Sequence, residues 1–120
     1  MRTIGLIAGM SWESSAEYYR ILNEEVARRL GGLHSAKIAM ISIDFARLEA
    51  QQTSGRWDEA AADLAQAARQ LERAGAECVL ICANTMHKAA PAVQAAVGIP
   101  LLHIADAAGE RARAAGLSKV

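Results

Sequence analysis

Glu77-Cys78-Val79-Leu80-Ile81-Cys82-Ala83-Asn84-Thr85-Met86-His87-Lys88 is the stretch that decides how this chain folds. The apolar run Val79 to Ile81 predicts a buried strand, and a helical pattern begins at Met86. Cys82 therefore stands where a strand hands over to a helix, with Asn84 and Thr85 just after it. In an open parallel α/β sheet, ligands bind beyond the carboxyl ends of the strands. A thiol before a helix N-terminus also meets the positive end of the dipole and free amide N–H groups, both of which favour the thiolate. A plainer reading stands beside this one. Cysteine is among the most buried residue types, and a lone one in a strand is usually packing. Cys78 is read as packing: alternation puts it on the side of Leu80 and Cys82, deep in the strand.

Upstream, Thr3 to Ala8 reads as a short buried strand, and Gly9 to Ser14 as a turn into a helix that Ser11 or Ser14 can cap. Tyr18, Leu22, Val26 and Leu30, with Ile21 beside them, give that helix one apolar face, and Gly31-Gly32 ends it. Ala36 to Ile43 reads as a second strand, followed by a short helix over Phe45 to Gln52. Trp57, Ala61, Leu64, Ala68, Leu71 and Ala74 form a long stripe at helical spacing, with Asp58 and Glu59 in the first turn and Gly75 at the end. Downstream, a helix from Met86 to Val97 contains Pro91, which predicts an early kink or break. Gly98-Ile99-Pro100 is a turn, Leu101 to Ile104 a fourth strand, and Ala105 to Ala115 a last helix closed by Gly116.

Strand and helix thus alternate, which predicts a three-layer α/β/α domain with a four-stranded parallel sheet, flavodoxin-like, in the order 2-1-3-4. In that order the winding reverses between strands one and three. The switch-point crevice then lies between the Gly9-Met10-Ser11 turn and Cys82. Leu117-Ser118-Lys119-Val120 resembles the approach to the first strand, Arg2-Thr3-Ile4. We therefore expect residues 1–117 to form one domain, and 118–120 to begin a strand of a second domain in a longer protein. A frayed C-terminus is the alternative.

Composition narrows the function classes. At 120 residues, 52% hydrophobic and 22% charged, the chain fits one soluble globular domain. Thirteen basic and thirteen acidic residues cancel, so nothing points to nucleic acid or a membrane as partner. No apolar run reaches the ~18 residues that cross a bilayer, and the start of the chain runs straight into a strand, so no signal peptide is expected. Two cysteines without a disulfide-rich pattern fit a reducing, cytoplasmic setting.

Gly9-Met10-Ser11-Trp12-Glu13-Ser14, Gly32-Leu33-His34-Ser35-Ala36, Asp44-Phe45, Cys82 to Lys88 and Pro100 to Asp106 together resemble the aspartate/glutamate racemase superfamily. The nearest branch is that of cofactor-independent, broad-specificity aspartate/glutamate racemases, and the resemblance runs over the whole chain. It implies a two-domain enzyme of about twice this length with internal pseudosymmetry, of which this chain is the N-terminal half. One cysteine from each domain flanks the substrate: one thiolate removes the α-proton and the other thiol returns a proton to the opposite face. Neither pyridoxal phosphate nor metal is used. The substrate implied is a small-molecule amino acid of the aspartate or glutamate class, and the full-length protein is expected to be a homodimer. Carried over by residue, Cys82 matches the first catalytic cysteine, and Asn84 and Thr85 match residues that bind the substrate carboxylate. Met10 and Ser11 match the first-turn wall, Gln52 lines the site, and Ala83 stands where close relatives often carry threonine. Arg47 stands where the branch often has an acid; it reads as a solvated surface residue or as a partner for a side-chain carboxylate. The second cysteine is absent from these residues, and Cys78 cannot replace it from the same strand. The chain alone is thus expected to be inactive.

The physical logic agrees with this resemblance. An α-proton is a very weak acid, so its removal needs a base at short range and stabilised charge on the carboxylate. Other features are plainer. His87 is read as a helix-surface or capping residue, and His34 and His103 as structural, with no metal-ligand spacing among them. Gly5 to Ser11 lacks the Gly-x-Gly-x-x-Gly pattern and a P-loop lysine. Trp12 and Trp57 are read as packing residues, with Trp12 able to roof the crevice. The alternatives are another enzyme of the superfamily, such as a maleate isomerase or hydantoin racemase, or a non-catalytic flavodoxin-like binding module with Cys82 merely buried.

Overall fold

The computed structural model describes residues 2–82 and 89–102. Its elements are β1 (Ile4–Ala8), α1 (Trp12–Leu30), β2 (Ile38–Ser42), α2 (Phe45–Thr53), α3 (Trp57–Arg73), β3 (Cys78–Ile81), α4 (Ala90–Ala96) and β4 (Leu101–Leu102). The strands form one parallel sheet in the order β2-β1-β3-β4, as the sequence predicts. Ile4 stands opposite Ile38 on one side and Cys78 on the other, so β1 is the central rail of the sheet.

Alternation along the strands splits the apolar residues into two layers. Ile7, Val79, Ile81 and Leu101 face Leu48 of α2, Leu64, Ala68 and Leu71 of α3, and Val93 of α4. Ile4, Leu6, Cys78, Leu80 and Cys82 face the other way, where Tyr18 and Leu22 of α1 pack on them. Each fully buried Leu or Ile contributes about 1.5–3 kcal/mol. The larger cluster therefore carries most of the stability. Its helix α3 lies close to the sheet because its contact face is largely alanine. Gly5 permits that approach: a Cβ there would stand 3.0 Å from Ala76 Cβ and 3.3 Å from Leu71 Cβ.

The helix ends follow the capping residues. Ser11, in extended conformation, caps α1 by accepting from the Ser14 N–H, and Gly31 closes it with an N–H to the Ala27 carbonyl at 2.8 Å. Asp44 caps α2 by accepting from the Ala46 N–H at 3.1 Å. Across the edge, Gln94 of α4 donates to the Ile99 carbonyl at 2.9 Å and accepts from the Leu101 N–H at 2.8 Å, tying α4 to the start of β4.

One expectation changes, and others lie outside the described residues. Pro91 sits in the first turn of the described α4, where the missing N–H has no intrahelical partner to lose. The described helix begins at Ala90, and the expected earlier start at Met86 lies outside the described residues, as do Ile104, the last helix and the 117/118 boundary. Trp12 is not a packing residue here: it is 72% exposed, because the face turned to the sheet is set by Ser15, Tyr18, Leu22 and Val26. Among the described residues, no helix is long and apolar enough to cross a membrane.

Candidate active site

Three strand ends meet at one rim of the sheet. The ladder continues past β1 on both sides: the Ile43 N–H reaches the Ala8 carbonyl at 2.8 Å, and the Cys82 N–H reaches the Ile7 carbonyl at 3.0 Å. Ser42 stands opposite Ala8 in β2, and the β1–β3 register carried on one step past Ile7 and Ile81 sets Cys82 beside Ala8. Cys82 is thus at the switch point, next to the Gly9-Met10-Ser11 turn, as expected.

That turn is held by close main-chain contact and by one buried hydroxyl. Gly9 has φ +95°, and a Cβ on it would lie 2.3 Å from the Ile43 carbonyl oxygen and 2.6 Å from its nitrogen. Only glycine fits this conformation and this approach. The Gly9 N–H donates to Ser15 Oγ at 3.0 Å, and Ser15 Oγ donates to the Ser11 carbonyl at 3.1 Å. Ser15 is 5% exposed and locks the first turn of α1 onto the end of β1. The sequence reading missed it. The available signal was its place three residues before Tyr18 and seven before Leu22, on the stripe that faces the sheet.

The electrostatics of Cys82 are set by its burial. The thiol is fully buried, and burial pushes it up to about 12 rather than toward the thiolate. The physical reason is desolvation of the charged form. Cys78 is also raised, first by burial and then by the nearby Glu77 carboxylate. Tyr18 is raised, first by burial and then by Cys82 itself, so the phenol and the thiol sense each other across the smaller core.

The remaining expected site residues are scattered. Ser11 is exposed at the rim, its side chain spent on the α1 cap. Met10 is buried in the larger core with Ile7 and Leu48, on the far face of the sheet from the Cys82 cluster. Its side chain packs there rather than forming a wall beside the thiol. Gln52 is half-buried on α2. Its neighbour Gln51 is the buried one: Gln51 Nε2 donates to Asp63 Oδ2 at 3.0 Å, and Gln51 Oε1 has no partner among the described residues. Arg47 Nε donates to the same Asp63 oxygen at 2.7 Å, with 68% of its side chain exposed. The pairing lowers Asp63, first through Arg47 and then through Gln51. Arg47 is thus a surface residue that ties α2 to α3. His34 is exposed in the loop after α1 rather than structural in the core. Ala83, Asn84, Thr85, His87 and His103 lie outside the described residues. Among the described residues, no group of three or more His, Cys, Asp or Glu is placed to hold a metal ion.

A protein-family model for Asp/Glu/hydantoin racemases matches residues 7–120. The chain belongs to this family. Two solved structures agree with that assignment. One, from Yersinia pestis and provisionally described as an Asp/Glu racemase, is 52% identical, with a TM-score of 0.88. The other, an aspartate racemase homologue from Pyrococcus horikoshii OT3, is 34% identical, with a TM-score of 0.79. The match covers 97% and 92% of this chain but only 50% and 48% of those two. The chain of this racemase-family protein thus spans about half the length of the solved relatives.

Proposed function

We propose that this chain is the first half of a cofactor-independent amino-acid racemase of the aspartate/glutamate type, with Cys82 as one of two proton-transferring cysteines. The observation that carries this reading is the position of Cys82 at the carboxyl end of β3, beside the β1 turn, in a racemase-family domain. In the proposed reaction the Cys82 thiolate takes the α-proton on one face, and a thiol from the second half returns a proton to the other. Asn84, Thr85 and the amides around them hold the substrate carboxylate, while Ser11 and Gln52 border the rim. No pyridoxal phosphate or metal takes part. The acidic side chain of aspartate or glutamate is the leading substrate feature.

A thiol held near 12 is a poor base at neutral pH. The chain alone is accordingly proposed to be inactive. The second half, together with the substrate ammonium group, is proposed to supply the positive field that favours the thiolate. A cytoplasmic location and a full-length homodimer belong to the same reading.

The test follows the α-proton by NMR in deuterated water, with aspartate and glutamate, for the full-length protein and its Cys82→Ala variant. Exchange that disappears in Cys82→Ala supports the reading. No exchange with any amino acid sinks it. The full burial of Cys82 favours a second reading, a binding module in which the cysteine is core. The hydantoin racemases named with the family supply a third substrate class for the same assay.

A further inference from the structure

β2 is an outer strand of the described sheet, paired on one side with β1. The Ile4 N–H donates to the Lys37 carbonyl at 2.9 Å, and the Ile43 N–H to the Ala8 carbonyl at 2.8 Å. Main-chain groups alternate sides along a strand, so Lys37, Ala39, Ile41 and Ile43 turn theirs toward β1. Ile38, Met40 and Ser42 therefore turn theirs outward, away from the sheet. Natural sheet edges are blunted by charge, proline, a bulge or a very short strand. The opposite edge follows that rule: β4 is described over Leu101–Leu102 alone, and Gln94 bonds across its start. β2 breaks it, because Ile38–Ser42 holds no charge and no proline and runs in unbroken register with β1. Met40, at its centre, is 42% exposed. On the α1 side, Asn23 Oδ1 accepts from the Ala36 N–H at 2.9 Å, and Tyr19, one turn earlier on that flank of the helix, is 49% exposed.

We propose that β2 is an interface between two copies of the full-length protein: the two outward edges pair antiparallel about a two-fold axis at Met40 and join two sheets into one. The proposal rests on the homodimer of the reading above, not on its proton-transfer chemistry. A two-fold interface must be complementary to itself. With Met40 opposite Met40, Ile38 stands opposite Ser42 of the other copy, so every outward N–H and carbonyl of these residues meets a partner that is also turned outward. Charge sets the direction. Lys37, just before the strand, and Asp44, just after it, are both exposed. Antiparallel pairing sets Lys37 of each copy across from Ile43 of the other, one residue from Asp44. Parallel pairing would instead set lysine against lysine and aspartate against aspartate. The antiparallel pair also covers the exposed Met40 side chains with each other.

The test is the mass of the full-length protein in solution, by sedimentation at several concentrations, with each variant's fold checked by circular dichroism. Met40→Lys sets two cations opposite each other and should raise the concentration at half-dissociation by more than about tenfold. Met40→Pro removes an outward N–H but no bond to β1, and should act in the same direction. Leu33→Lys, at a fully exposed site in the loop after α1, should leave the mass unchanged. Oxidative cross-linking reads the register. Facing Cα atoms of a hydrogen-bonded antiparallel pair are about 5.5 Å apart, within disulfide reach. Met40→Cys should therefore give a covalent dimer that the unsubstituted protein does not give. Ile38→Cys, whose two copies would stand roughly 14 Å apart, should not. A dimer that survives unchanged in both Met40→Lys and Met40→Pro overturns the proposal and leaves the homodimer to another surface, as does equal cross-linking at the two sites. A monomer at every concentration overturns the surface and the homodimer together. None of these measurements needs turnover, so a failure of α-proton exchange sinks the racemase reading without altering this result.

Discussion

Raising the pH is the simplest perturbation of Cys82, and its effect can be worked through in numbers. A free thiol with a pKa of about 8.5 is roughly one-tenth ionised at pH 7.5. With its pKa pushed to about 12, Cys82 is ionised to only ~3 parts in 100,000 at the same pH. The thiolate fraction therefore falls by roughly 3,000-fold. A more basic thiolate is also a better nucleophile, with a Brønsted slope of ~0.4–0.5, which recovers about 25- to 55-fold. The chain alone should thus alkylate at Cys82 about 50- to 100-fold more slowly than a small free thiol, and burial slows it further. The rate should climb about tenfold per pH unit well past pH 9.5, where a free thiol has levelled off. Iodoacetamide labelling of the 120-residue chain, with a short cysteine peptide blocked at both ends as reference, reads both features. Labelling at pH 7.5 within threefold of the reference, with a plateau near pH 9, would refute desolvation as the controlling effect. It would also restore the helix-terminus argument.

Other perturbations follow from the same geometry. Cys82, Cys78 and Tyr18 all have raised values in the folded chain. In the unfolded chain the thiols lose protons from ~8.5 upward while the folded chain keeps them. The stability they contribute is therefore complete below about pH 8.5 and is lost as the pH rises toward 12, and urea midpoints should fall over that range. Cys82→Ala should flatten the fall. Ser15→Ala leaves the buried Gly9 N–H without its acceptor and should cost about 1–3 kcal/mol by urea titration, less ~0.5 kcal/mol for the better helix former. Gly9→Ala adds strain of about 1–3 kcal/mol at a positive φ. It also drives a methyl into the Ile43 backbone, so its urea midpoint should fall further than that of Ser15→Ala. Arg47→Ala should change stability by less than ~1 kcal/mol and should lose even that in high salt, since its ion pair with Asp63 is solvent-exposed.

The fold was readable because its signals are local and periodic. The apolar run before Cys82, the stripe from Trp57 to Leu71 and the caps at Ser11 and Asp44 each act over a few residues. The alternation of strand and helix leaves few arrangements of the sheet. The position of Cys82 followed from that order alone. Its ionisation did not, because desolvation depends on everything packed around the thiol, including α1 from far earlier in the chain. The layer that Met10 packs in was not legible for a related reason. A turn residue can point to either layer, and only the packing of Leu48 and Ile7 decides which. Gln51 and Asp63 are twelve residues apart, and no periodicity links a glutamine on one helix to a carboxylate on the next.

The close seating of Gly9 against the Ile43 backbone has a bearing on how such a domain can change its chemistry. The floor of the crevice is peptide groups seated on peptide groups, with the buried Ser15 hydroxyl as the one side-chain tie described. Mutation can therefore redecorate the rim without disturbing the foundation, so long as Gly9 and Ser15 are spared. A scaffold of this kind separates durability from selectivity.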